Sequence, residues 1–202
     1  IPAEIGGGFG GKTTVYLEPV ALALSRKCGR PVKIVMSREE VFLASGPTSG
    51  SVMDIKLAAT KAGKITAAEM TLKYQAGAFP GSPVHLGCMT AFACYDVENL
   101  ALTGYDVVSN RPKVAAYRAP GAPMAAFAVE SAIDDLAKKL GMDPIDIRIL
   151  NGVRDGMKTV YGATVRSCAF VEMLEQLKAH PHYQTPVAAG QARGVAAGFW
   201  FN

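Results

Sequence analysis

Cysteine is scarce and scattered: Cys28, Cys88, Cys94 and Cys168 stand far apart and form no Cys-x-x-Cys pair. A disulfide framework, a structural zinc or an iron–sulfur cluster needs thiols at closer spacing, so the pattern favours reduced, buried thiols of a cytosolic protein. The chain also lacks any run of Lys or Arg. Its formal charge of +4 is spread along 202 residues, too mild and too dispersed for a nucleic-acid partner. No stretch approaches the ~20 apolar residues that cross a bilayer, and no charged-then-apolar signal opens the chain, so neither a membrane nor a secretory role has support. Histidine is nearly absent, and His85 has no partner at metal spacing, which reads as a structural or exposed side chain. An initiating methionine is missing, and the last residues, Gly198-Phe199-Trp200-Phe201-Asn202, are an apolar run rather than a polar end. The chain therefore reads as a piece of something longer, truncated at both ends. What is plentiful is apolar residue, 50% against 19% charged, enough for a globular domain with a sizeable core.

Glycine is concentrated at one place. Gly6-Gly7-Gly8-Phe9-Gly10-Gly11-Lys12-Thr13 sets five glycines around one aromatic and ends in a cation and a hydroxyl. Without side chains the backbone takes positive φ freely and its N–H groups approach a ligand closely, which suits an anion or an oxo group. A plain turn needs only about one or two glycines. Two nucleotide patterns match by spelling. Gly6, Gly11, Lys12 and Thr13 fit a phosphate loop, and Gly6, Gly8 and Gly11 fit a dinucleotide fingerprint. The first requires a strand before the glycines, for which only the short Ile1–Ile5 is available, a helix springing from the lysine, and a later strand ending in aspartate. Val32–Met36 runs instead into Ser37-Arg38-Glu39-Glu40. The second expects an acid ~20 residues on, and Glu39 comes roughly ten residues too late. Both nucleotide readings, and a non-catalytic structural module, stand as alternatives.

Along the chain, Leu17, Val20, Ala21 and Leu24 recur at helical spacing, with Pro19 in the first turn and Gly29 as a left-handed stop. A strand is expected over Val32–Met36, then a short helix through Phe42 and Leu43 behind a Ser37/Glu40 capping box. Alternation over 52–60 and 65–74 around Lys61-Ala62-Gly63-Lys64 reads as a β-hairpin. Gln75–Cys88, rich in Gly, Ala, Pro and Ser, reads as an ordered loop. Strands follow over Leu100–Val108 and Val114–Tyr117.

The second informative stretch is Ala116-Tyr117-Arg118-Ala119-Pro120-Gly121-Ala122-Pro123, followed at once by a helix. Its apolar face carries Ala125, Phe127, Ala128, Ala132, Leu136 and Leu140, and its polar face Glu130, Asp134, Asp135, Lys138 and Lys139. Gly141 ends it, and Asp143-Pro144 caps the next helix to Asn151. Arg118 thus precedes a helix N-terminus, where backbone donors converge. The plain alternative is a surface arginine paired to a carboxylate. Towards the end, Ser167 is a candidate cap for a helix with Phe170, Met173, Leu174 and Leu177 as core, and Val187–Gln191 is a small-residue linker before a strand over Gly194–Phe201.

Taken together, the glycine loop, Tyr117-Arg118-Ala119-Pro120-Gly121-Ala122-Pro123 and the run from Phe127-Ala128-Val129-Glu130 to Leu140-Gly141-Met142-Asp143-Pro144 and Arg148 resemble the molybdopterin-binding subunits of xanthine dehydrogenases and aldehyde oxidases, the molybdenum hydroxylases. The resemblance covers nearly the whole chain. It implies an α+β domain, a mixed sheet with helices packed on it, with residues 1–202 as one fragment and a possible internal boundary near 110–123. It implies that Gly7, Gly8, Phe9 and Gly10 with Tyr117, Arg118 and Ala119 lie against the cofactor, Phe9 and Arg118 presenting main-chain groups to the molybdenum rather than side-chain ligands. The implied chemistry is hydroxylation of a small molecule with water-derived oxygen, electrons leaving through 2Fe–2S clusters and FAD on other domains or subunits.

The departures from that family are equally specific. Xanthine oxidases carry a glutamate after the lysine of the glycine loop, where this chain has Thr13; their substrate arginine falls near Leu86, and their stacking aromatic at Pro120. These changes argue against xanthine and leave an N-heterocycle or an aldehyde. Copper-dependent carbon monoxide dehydrogenases have a cysteine where Ala119 stands. The family's catalytic glutamate follows a glycine, and no Gly-Glu dipeptide occurs here. Glu130 is not expected to replace it, because it falls on the polar face of its helix.

Overall fold

The computed structural model describes residues 6–201; Ile1–Ile5 and Asn202, with the expectations that fall on them, lie outside. The backbone gathers into two units. One comprises Ile1–Gly50, Tyr74–Pro83 and Asp106–Pro120, the other Ser51–Lys73, Val84–Tyr105 and Gly121–Asn202.

A three-stranded sheet has the order β1 (Ser51–Ala59), β2 (Ile65–Gly77), β3 (Asn99–Val108). The expected hairpin joins β1 and β2, its loop closed by Thr60 N–H to Lys64 O and Gly63 N–H to Thr60 O, both at 2.9 Å. β3 starts beside the start of β2, where the Asn99 amide donates to Thr66 O, and ends beside its end, where Ser109 N–H donates to Gly77 O. β3 therefore runs parallel to β2, and the sheet is mixed. Alternate residues of β2, among them Ala68, Met70, Leu72, Tyr74 and Ala76, are buried, so one face of the central strand points inward.

In the second unit helices pack on the sheet through β1. α3 (Val84–Thr90), α4 (Ala122–Leu140), α5 (Pro144–Asn151), α6 (Phe170–Ala179) and α7 (Pro181–Gln184) follow in order, and α4 packs on β1, α3 and α5. Its buried Ala125, Val129, Ile133 and Ala137 repeat every fourth residue, the stripe a helix needs to sit on a core. The Asp143 carboxylate accepts the Ile145 and Asp146 N–H groups ahead of Pro144, as the sequence predicts for a cap. In the first unit α1 (Glu18–Cys28) ends at left-handed Gly29, and α2 (Arg38–Ala44) carries the full Ser37/Glu40 capping box.

Several expectations give way. Val32–Met36 keeps its alternation of half-buried and exposed residues but forms no ladder, because the sheet offers it no neighbouring strand among the described residues. Val114–Tyr117 is no strand either; its hydrogen bonds go singly to different segments, Val114 N–H to Ala76 O and Ala115 N–H to Pro47 O. Gln75–Cys88 is not all loop. β2 continues to Gly77 and α3 begins at Val84 despite its β-branched start and its internal Gly87. Close packing on β3 compensates, since glycine at 104 leaves space that Val84 and Cys88 fill. Ser167, at φ 53, does not cap α6, whose N-cap residue is Ala169. Gly194–Phe201 is extended without a ladder; Phe199 and Phe201 gather on Tyr161 instead.

Candidate functional site

The glycine loop is a tight turn pinned by hydroxyls. Gly11 N–H donates to Gly8 O at 2.9 Å, with Phe9 and Gly10 at φ 51 and 82 in the turn. A phenylalanine at positive φ is strained and persists only where the surroundings hold it. Thr13 Oγ1 donates to Gly10 O at 3.2 Å, and Tyr16 OH donates to Gly11 O at 3.1 Å while accepting Gly46 N–H at 3.2 Å. Tyr16 is a supporting residue that sequence reasoning missed, because a hydroxyl reaching back five residues and across thirty leaves no periodic trace.

The second loop meets the first backbone to backbone. A Cβ on Gly10 would stand 2.0 Å from Ala116 O, so only glycine allows the approach. The same unit then presents Tyr117 and Arg118 exposed and Ala119 at φ 53. Phe9 is 75% exposed although apolar, and Arg118 makes no ion pair or side-chain hydrogen bond among the described residues. The surface-pair reading of Arg118 thus finds no partner there. At Gly8, in contrast to Gly10, an added Cβ would meet nothing within 4 Å among the described residues: the loop is closed towards Ala116 at Gly10 and open at Gly8. No helix springs from Lys12, since α1 begins only at Glu18, so the loop lacks the construction of a phosphate loop.

Gly7, Gly8, Phe9, Gly10, Thr13, Tyr117, Arg118, Ala119 and Pro120 all fall in the first unit, and Leu86 lies half-buried on α3 in the other. Among the described residues no group of three or more His, Cys, Asp or Glu side chains is placed to hold a metal ion. Main-chain groups beside an exposed aromatic can border a bound group without ligating it.

The second unit holds a charged cluster that the sequence placed wrongly. Glu130 is not on a solvated face but buried, accepting from Tyr95 OH at 2.5 Å, from Arg148 Nε at 2.9 Å and from Ala197 N–H at 2.8 Å. Fully buried Arg148 also reaches Asp134 at 2.8 Å and Pro144 O at 2.8 Å. Helical periodicity assigned Glu130 to the outside, and only its partner eighteen residues on, brought back by α5, makes burial affordable. Burial, then the Glu130 charge, drives the Tyr95 hydroxyl far above its ordinary range, and burial pushes the Cys94 thiol up to about 12. Both stay protonated, and the carboxylate's oxygens are occupied, so the cluster is a structural clamp rather than an acid–base site.

Comparison with known proteins finds similarity over most of the chain. Residues 1–152 match the family model of the molybdopterin cofactor-binding domain. The nicotinate dehydrogenase large molybdopterin subunit of Eubacterium barkeri is 35% identical over 182 residues, covering 88% of this chain and 43% of its own length. The aldehyde oxidoreductase structure from Desulfovibrio gigas aligns with a TM-score of 0.80 at 31% identity, over 89% of this chain and 20% of that one. Quinoline 2-oxidoreductase from Pseudomonas putida 86 aligns with a TM-score of 0.81 at 27% identity, over 90% and 24%. The chain thus spans less than half the length of each.

Proposed function

We propose, from the premise that this chain belongs to the molybdopterin cofactor-binding domain family, that its glycine loop and Arg118 loop form part of the wall around the molybdenum cofactor of a molybdenum hydroxylase. The observation that carries the reading is the backbone contact of Gly10 with Ala116, which joins two loops whose outward groups are an exposed Phe9 and an exposed Arg118. In this reading Gly7, Gly8 and Gly10 bring main-chain N–H groups within reach of the cofactor, Phe9 excludes water, and Tyr117, Arg118 and Ala119 border the other side. When bound, the cofactor supplies a metal centre that hydroxylates an electron-poor carbon with oxygen from water and receives the electrons.

Those electrons leave through 2Fe–2S clusters and FAD on other domains or subunits. The general base belongs to sequence other than this chain, which has no Gly-Glu dipeptide, and Glu130 is committed to Arg148. Thr13 and Pro120, both in the first unit, are assigned to a substrate pocket that takes an N-heterocycle or an aldehyde rather than xanthine. Thr13 already donates its one hydroxyl proton to Gly10 O, so it can accept from a ligand but has no proton left to donate to a purine oxygen or nitrogen. A cytoplasmic setting is part of the same reading; among the described residues no helix is long and apolar enough to cross a membrane.

Gly8 offers the test. Because a Cβ added there meets no atom within 4 Å among the described residues, Gly8→Val in the complete enzyme should leave the thermal unfolding of cofactor-free protein within about 1 °C, yet lower molybdenum and pterin per protein severalfold. Full cofactor content in that variant would refute the assignment of the loop.

A further inference from the structure

The segment that delivers Tyr117 and Arg118 has no ladder, so something else must fix its register. Its hydrogen bonds are single: Ala78 N–H to Arg111 O at 2.9 Å, Val114 N–H to Ala76 O at 3.0 Å and Ala115 N–H to Pro47 O at 2.9 Å. Beside two of these bonds stands a glycine with no room for a side chain. A Cβ on Gly77, at φ +81, would lie 2.1 Å from Pro112 O and 2.7 Å from Lys113 Cα. A Cβ on Gly46 would lie 2.5 Å from Ala115 Cβ and 2.8 Å from Lys113 O. Ordinary van der Waals contact starts at 3.4 Å, so neither glycine admits even a methyl group without moving the segment.

We propose that Gly46 and Gly77 are positioning residues for the Arg118 loop, which they set by letting Pro112–Ala115 run backbone against backbone between them. The proposal rests on the reading of that loop as cofactor wall. Displacement of the segment by about an ångström carries directly to residues two or three positions on, and main-chain groups that border a cofactor tolerate little such error. Neither glycine touches the cofactor in this account. Their effect passes through Lys113–Ala116.

The geometry supplies its own partial rescue. Ala115 Cβ is the atom nearest to the added methyl in Gly46→Ala, but Lys113 O at 2.8 Å and Ala115 N at 2.9 Å are backbone and stay in place. The double change Gly46→Ala with Ala115→Gly should therefore restore only a minor part of what the single change removes. In the complete enzyme, Gly46→Ala should lower molybdenum and pterin per protein severalfold. In cofactor-free protein it should speed hydrogen exchange of the Val114 and Ala115 amides on the order of tenfold. The double variant should recover less than half of the cofactor content and slow those amides only in part, because the backbone contacts of the added methyl persist. Gly77→Ala should match or exceed the single effect, and the Gly46 pair decides if it fails to fold. Gly63→Ala is the control. Gly63 sits at φ +91 against Met142 in the other unit, so its substitution is strained but should leave cofactor content unchanged.

Wild-type cofactor content and exchange rates in Gly46→Ala would overturn the proposal, as would an equal loss of cofactor in Gly63→Ala. Faster exchange in Gly46→Ala with partial rescue by Ala115→Gly, combined with full cofactor content in both Gly46→Ala and Gly8→Val, would uphold the positioning role and overturn the cofactor-wall reading instead.

Discussion

Phe92 and Phe42 are one residue type in opposite settings: Phe92 is 0% exposed in the second unit, and Phe42 is 76% exposed on α2 in the first. The contrast extends to the units. In the second, Ile65, Met70, Leu72, Val129, Ile133, Ile145 and Ile147 are buried, and side chains fill the space between sheet and helices. In the first, neither α1 nor α2 buries a residue, and Tyr74, Ala76 and Val114 are its buried apolar side chains among those described. Backbone lies on backbone there instead, at Gly10 against Ala116 and Gly46 against Ala115. A wall that presents main-chain groups to a ligand is made from backbone, so the unit proposed to border the cofactor has little side-chain core to hold it.

The sharpest break of that contrast strikes the clamp in the second unit. Arg148→Ala would leave Glu130 buried without its cation, at a cost of about 3–5 kcal/mol, and urea unfolding of the chain should register a loss of that size. A shift below about 1 kcal/mol would mean that the carboxylate finds water. Of similar size at its upper end is the contrast between the two phenylalanines. Phe92→Ala should cost about 3–5 kcal/mol, whereas Phe42→Ala should stay within about 0.5 kcal/mol; comparable losses would erase the distinction between the units. The smallest effect concerns a cap.

At Asp143, burial alone would raise the carboxyl pKa, but the Tyr183 hydroxyl and the Asp146 and Ile145 N–H groups outweigh it and hold it below the ordinary value. A carboxylate depressed in the folded state stabilises above its unfolded pKa of about 3.9, and that contribution disappears as pH falls through the folded value. Asp143→Ala should therefore cost about 1 kcal/mol at neutral pH, with the gap from the parent chain narrowing below about pH 4. A gap independent of pH would show that packing rather than the charged cap is lost.

Much of this was legible in order along the chain. Local rules govern the hairpin, the Ser37/Glu40 box and the Asp143-Pro144 start, because each is decided by residues within about a turn or a loop of one another. The helix α4 itself was legible but its buried face was not, since Val129, Ile133 and Ala137 join Ala125 inside while Phe127, read as core, is 75% exposed. Glu130 was misplaced because its partner Arg148 lies on another helix, and Val32–Met36 because a strand needs a neighbour as well as an alternation.

Sequence by itself determined the composition of the two loops: five glycines about Phe9, and the Tyr117-Arg118-Ala119 run, are statements that no packing alters. Only the tertiary structure decided that the loops touch, that Gly10 is closed by Ala116 while Gly8 is open, and that Gly46 and Gly77 grip the segment between. The reason is that a glycine's freedom is written in the chain, but the atom that would occupy its missing Cβ comes from residues tens of positions away.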